Sequence, residues 1–253
     1  MIVAVAGGKG GVGKTTTSWN LGRELDAVVV DGDLATPDLP PGSGADLHDV
    51  LAGRIQPQEA IEDDGPVALL PCGRTLSGAR ASRLESFGSV LEQVEREWGR
   101  VVVDCPAGLA RDVGIQIWSA DLAVLVTVPE RVAVVDAFRT CELAGAVRTP
   151  IASVVLNKTY RSVHEELAKR IGRTLDTEVT VVPRSSAVEK AQARWQPVRE
   201  LASRSRKDAS RSRTHPSRSP THASDDRAVD AYRTIAEQLV RSYERLDGRA
   251  CGR

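Results

Sequence analysis

Residues 7–16 read Gly7-Gly8-Lys9-Gly10-Gly11-Val12-Gly13-Lys14-Thr15-Thr16, directly after the apolar run Ile2-Val3-Ala4-Val5-Ala6. From Gly8 to Thr15 the stretch satisfies the spacing GxxxxGK followed by Ser or Thr. Glycines let the backbone curl until successive N–H groups converge, and a helix beginning at the end of the loop turns its positive pole to the same point. Such a loop is built to hold phosphate. Gly8, Gly10, Gly11, Val12, Gly13 and Thr16 would line it, with Lys14 on the β- and γ-phosphates and the Thr15 hydroxyl on Mg²⁺. The alternative is a Gly-rich turn that binds nothing, and the strand before and helix after it disfavour that reading.

The rest of the chain supplies the scaffold such a loop requires. Short apolar runs occur at residues 2–6, 27–31, 67–70, 100–104, 122–127, 151–156 and 179–182. Runs such as Val28-Val29-Val30 and Val101-Val102-Val103 are continuous rather than alternating, the pattern of strands covered on both faces. Helical spacing fits residues 15–25, 46–53, 84–98, 132–146, 163–175 and 186–193 between them. The alternation predicts an α/β fold: a doubly wound, mostly parallel sheet flanked by helices, in three layers α/β/α. Hydrophobic residues are 41% of the 253, enough for a sizeable core.

Lys9 is the residue an ordinary phosphate loop does not need. With it, the stretch from Lys9 to Thr16 resembles the deviant Walker A motif of the MinD/ParA family of P-loop ATPases. The resemblance implies that Lys9 reaches across an ATP-dependent homodimer to the partner's phosphates, countering charge during transfer. A solvated loop charge is the plain alternative for Lys9. Two further segments are similar to the same family. Val28-Val29-Val30-Asp31-Gly32-Asp33 corresponds to its second acidic motif, which implies that Asp33 orients the attacking water and joins the Mg²⁺ site, with Asp31 in support. Asp38 is read as belonging to a switch loop; for all three carboxylates, capping of the following segment is the structural alternative. Val101-Val102-Val103-Asp104-Cys105-Pro106-Ala107-Gly108 resembles Walker B and switch II. This implies Mg²⁺ at Asp104, through water, and a γ-phosphate contact from the Gly108 N–H that is lost on hydrolysis. The alternative for Gly108 is a tight turn.

For the base, the resemblance implies Asn157 at the end of the 151–156 strand, and Pro183 and Arg184 at the end of the next; for the latter two a strand-to-helix turn is the equal alternative. It implies ATP rather than GTP, which the residues alone do not distinguish. Val128-Pro129-Glu130-Arg131, with Asp136 on the helix beyond, resembles a partner-binding turn of MinD-type proteins, with valine where asparagine is usual. The domain reading is an ATPase domain over 1–201, a Ser/Arg-rich flexible linker or loop over 202–225, a helix over 226–246 that returns to the core, and a polar tail over 247–253.

Charge and composition narrow the partners. The 34 Lys/Arg balance 34 Asp/Glu, but six of those bases and one acid fall in residues 203–224, leaving 28 against 33 elsewhere. The neutral total therefore does not exclude a polyanion. Arg184, Lys190 and Arg194 and the basic tract would supply the cations of a ParA-like ATPase that binds DNA non-specifically, an inert solvated linker being the alternative for the tract. A MinD-like positioning ATPase is slightly preferred on overall motifs, although the tail after Leu246 lacks the apolar face of an interfacial helix, which disfavours direct membrane binding. The third reading is a nucleotide-dependent protein adaptor with negligible turnover. A regulatory or cargo protein is implied in each case. The four cysteines, Cys72, Cys105, Cys141 and Cys251, show no paired spacing, which disfavours iron–sulfur relatives; three tyrosines without a tail cluster disfavour tyrosine-kinase relatives. With no leader-like or 18-residue apolar run, the expected location is cytoplasmic, with recruitment to the nucleoid or membrane periphery.

Overall fold

The computed structural model describes residues 1–160, 163–203 and 220–250. Seven strands form one wholly parallel sheet: β1 (Ile2–Ala6), β2 (Val28–Asp31), β3 (Leu69–Leu70), β4 (Val101–Asp104), β5 (Leu122–Thr127), β6 (Ile151–Thr159) and β7 (Val179–Pro183). Their order is β3-β2-β4-β1-β5-β6-β7. The chain thus builds outward to β3, returns to insert β4 beside β1, and continues to the other edge. Side chains alternate between two cores: Val3 and Val5 of β1 enter one, Ile2, Ala4 and Ala6 the other. That is why the strands read as unbroken apolar runs.

The first core is covered by α1 (Lys14–Leu25), α8 (Ser186–Gln192) and α9 (Pro220–Ala250); the second by α2 (Leu47–Leu51), α4 (Phe87–Trp98), α5 (Arg111–Trp118) and α7 (Val163–Leu175). α6 (Arg131–Ala146) reaches both cores, through Ala133 and Ala144, α3 (Leu76–Ala81) lies outside them, and a further short helical stretch covers 198–203. Phe87, Leu91 and Val94 give α4 its buried stripe, and a fully buried side chain of that size contributes about 1.5–3 kcal/mol.

Neither α5 nor α3 was anticipated. In α5 only Val113, Gln116 and Ile117 are buried, with Gly114 between them, so neither propensity nor periodicity marks it. α3 exposes Leu76 and buries only Gly78. The last helix is longer than its apolar periodicity over 226–246: it runs from Pro220 to Ala250. Proline suits a first helical position, where its missing N–H costs nothing. The reading of 202–225 as a linker falls largely on residues 204–219, outside the described residues, as do residues 251–253 of the tail.

α9 spends its apolar face on the core through Val229, Tyr232, Ile235, Ala236 and Leu239. Its buried Gln238 Oε1 accepts from Ser153 Oγ at 2.8 Å and Thr180 Oγ1 at 3.1 Å, tying the helix to β6 and β7 at once. The segment before it docks on α1: Val198 N donates to Asn20 Oδ1 at 2.9 Å, and the Trp19 and Trp195 rings meet edge to face at 5.8 Å. No helix among the described residues is long and apolar enough to cross a membrane.

Candidate nucleotide-binding site

The carboxyl ends of β1, β4 and β2 lie side by side, with Val5 in register with Asp104 and Asp104 with Asp31. This is the reversal point of the strand order, where open α/β sheets bind ligands. β1 runs into residues 7–13 and α1 starts at Lys14. Gly13 precedes the helix with φ 100°, and a Cβ there would stand 2.2 Å from Asn157 Nδ2, so the position demands glycine. No side chain caps α1 and its first turn carries no acid. Its leading N–H groups and positive pole are left for an anion.

Lys14 is buried, 8% exposed, and its charge acts on Asp104. Asp104 sits at the end of β4, accepting from Ser18 Oγ at 2.9 Å, with the Thr15 hydroxyl near enough to favour its charged form. Burial pushes its carboxyl up to about 6, against the pull of those hydroxyls and Lys14, while Asp38 pushes the same way as burial. Asp31 is raised further, to about 7, by burial first and then by Asp104, against backbone N–H bonds from Asp33 and Leu39. Two neighbouring carboxylates therefore carry desolvated charge at these strand ends, and a cation at Asp104 would relieve both. The donors are hydroxyl and carboxylate oxygens, a set that suits Mg²⁺. Cys105, next in the chain, is buried and its thiol is pushed up, first by desolvation and then by Asp104, so it offers no thiolate. Among the described residues no cluster of three or more His, Cys, Asp or Glu forms an all-protein cage.

Thr15 and Asp104 are thus brought together. Asp33 is placed otherwise: its carboxylate turns to its own loop, accepting from Thr36 N at 2.8 Å, Thr36 Oγ1 at 3.0 Å and Ala35 N at 3.3 Å. Asp followed three residues later by Thr favours this local turn. Asp31 anchors the base of the same loop through Asp33 N and Leu39 N, both at 3.3 Å. Gly108 has φ 101° at the start of the exposed stretch before α5. Its backbone is one that other residues rarely adopt.

Lys9, expected to act in trans, is bound within its own chain to Glu130 Oε2. That contact lowers the Glu130 carboxyl, and Lys158 adds a weaker pull. Asn157 reaches the loop rather than open space: its Nδ2 donates to Val12 O at 2.8 Å, and its Oδ1 accepts from Lys158 N at 2.8 Å. Arg184 bonds Glu189 at 3.0 Å and the Tyr160 hydroxyl, with its guanidinium 5.6 Å from that ring's centre. Pro183 ends β7 beside it.

Sequence reading missed Ser18 and Gln116. Gln116 Nε2, buried on α5, donates to Gly32 O at 2.7 Å and fixes the peptide between Asp31 and Asp33. A lone glutamine in an unrecognised helix carries no sequence signal for this role.

Comparison with known proteins places these features in a family. A ParA family model, described as NUBPL iron-transfer P-loop NTPase, matches residues 1–171. An uncharacterized ATP-binding protein of Methanocaldococcus jannaschii is 32% identical over 217 residues, covering 81% of this chain and 82% of its own. The septum site-determining protein MinD of Bacillus subtilis is 35% identical over 152 residues, covering 54% of this chain and 56% of its own. Among solved structures, MinD of Pyrococcus horikoshii complexed with Mg-ADP superposes with a TM-score of 0.74 at 23% identity, covering 94% of this chain and 95% of that one.

Proposed function

The chain belongs to the MinD/ParA family of P-loop ATPases, and from that premise we propose that it hydrolyses ATP with Mg²⁺, pairs two copies across the nucleotide, and uses the ATP state to position a cargo. The observation that carries the reading is the junction of the Gly8–Thr16 loop with buried Lys14, Thr15 and the strand-end carboxylate Asp104. Thr15 and Asp104 would hold Mg²⁺, which supplies charge neutralisation on the phosphates when bound. Lys14 and the N–H groups opening α1 bind the β- and γ-phosphates, and Asp33 orients the attacking water for in-line displacement. For that role the Asp33 carboxylate exchanges its Thr36 partner for the water. The Gly108 N–H senses the γ-phosphate, and Pro183 and Arg184 border the base.

Lys9 belongs to the dimer. Lys9→Ala is expected to leave ATP affinity of the monomer within about threefold, while ATP-dependent assembly is lost and turnover falls about 10²- to 10³-fold, the usual effect of removing one charge-stabilising donor. Light scattering and phosphate release measure the two; unchanged assembly and turnover would remove Lys9 from the mechanism.

The cargo-positioning role follows the likeness to septum site-determining proteins. A ParA-like role has its own support in exposed Lys190 and Arg194 on and just after α8. Binding of the ATP-locked protein to DNA and to anionic vesicles, with and without residues 203–224, separates the two. DNA affinity falling with salt at a slope of about −0.9 per phosphate neutralised supports the ParA-like role. Vesicle binding supports the MinD-like one, and neither leaves a protein adaptor. Iron handling is not carried over: Cys72 and Cys105 are buried separately with thiols pushed up.

A further inference from the structure

We propose that Lys158 is a positioning residue of the phosphate loop, acting with Asn157 to set the direction in which the loop's N–H groups point. The inference rests on the nucleotide-site reading above. Lys158 Nζ donates to Gly11 O at 2.7 Å, and Asn157 Nδ2 donates to the next carbonyl, Val12 O, at 2.8 Å. The third in succession, Gly13 O, accepts from Thr17 N at 3.0 Å and Thr17 Oγ1 at 2.8 Å. Three consecutive carbonyls are therefore each claimed by a donor of the protein.

In a planar trans peptide, the carbonyl of one residue and the N–H of the next point in opposite directions. Tying down the carbonyls of Gly11, Val12 and Gly13 turns the N–H groups of Val12, Gly13 and Lys14 the other way, into the concave side that receives phosphate. Without such ties a glycine-rich segment samples many peptide orientations, and binding would bear the cost of ordering it. Gly11 has φ 75° and no atom within 4 Å of where a Cβ would stand, so nothing else packs against it there.

The geometry of β6 makes the two-residue brace feasible. Adjacent side chains on a regular strand point to opposite faces. Here the pairing of β6 with β7 shifts register between Leu156 and Thr159, and Lys158 adopts φ 54°. The bulge re-aims one residue, so Asn157 and Lys158 both reach the same loop. Lys158 N also donates to Asn157 Oδ1, which fixes the orientation of the amide. A non-glycine residue held in the left-handed region carries strain, and this one is offset by contacts to the phosphate loop.

The test uses the full chain with Mg²⁺ and fluorescent analogues of ATP and ADP. In Lys158→Met, affinity for both nucleotides is expected to fall about tenfold, the scale of one charge-assisted hydrogen bond, and Lys158→Arg, which keeps a cationic donor, to stay within about threefold of wild type. Hydrogen exchange across residues 8–17 of the nucleotide-free protein should quicken in Lys158→Met while the unfolding temperature holds. Unchanged affinity, unchanged exchange, or an Arg variant as weak as the Met variant overturns the proposal. So does a loss confined to ATP, which would mean that Lys158 contacts the γ-phosphate directly. Wild-type protein that fails to bind either nucleotide would instead sink the underlying site reading, so the two failures are distinguishable.

Discussion

Lys14→Ala is expected to weaken nucleotide binding by at least about 30-fold, to the point of abolishing it at ordinary concentrations, while leaving a folded protein. Lys14 stands at the first position of α1, buried, with its charge directed to the cluster around Asp104. In the complex it would be a desolvated cation on the phosphates, and truncating one partner of such a pair costs about 2–5 kcal/mol, a loss of about 30- to 5,000-fold in affinity. The alanine leaves α1 intact because the helix is anchored elsewhere, through Trp19, Leu21 and Leu25 in the core. Titration calorimetry with ATP and Mg²⁺, paired with a thermal melt, checks both halves of the expectation. Undiminished binding in a folded Lys14→Ala protein would remove Lys14 from the phosphate site.

Asp33→Ala should show the opposite division, with ATP binding kept within about threefold and turnover reduced by about 10²- to 10⁴-fold, the range for losing a general base. With hydrolysis stopped, the ATP-bound dimer persists, which sedimentation or light scattering detects. The structure adds a control that the sequence did not suggest. Because the Asp33 carboxylate also accepts from Ala35 N, Thr36 N and Thr36 Oγ1, alanine disturbs the loop as well as the charge. Asp33→Asn keeps an acceptor for the turn but loses the carboxylate. If Asn turns over normally and only Ala is slow, Asp33 shapes the loop and another group handles the water. If both are slow, the carboxylate itself is required.

Much of the architecture was legible because the strands are buried on both faces. Val28–Asp31 and Val101–Asp104 had no polar alternation to disguise them, and they are central strands. α5 was not legible. Its contribution is one glutamine, Gln116, bonded to Gly32 at a sequence separation of 84 residues, and no local pattern reports such a contact. The final helix was legible only where it packs. Among its residues of described burial the first buried one is Ala228, whereas the helix itself extends to Pro220, beyond the reach of apolar periodicity.

At the site the division is sharper. Sequence alone determined that a strand, a glycine-rich loop and a helix follow one another, that two lysines lie in that loop, and that acidic residues end the two strands that complete the site. Those facts are local, since a loop's conformational freedom and a strand's hydrophobicity are properties of contiguous residues. Only the tertiary structure decided which partners those groups take. Lys9 finds Glu130 across 121 residues, Asn157 finds Val12 across 145, and Lys158 finds Gly11 across 147. Asn157 and Lys158 reach the same loop because a bulge breaks the alternation that two neighbouring strand residues would otherwise obey. Backbone geometry at the end of β6, set by its pairing with β7, thus decides how the phosphate loop is held.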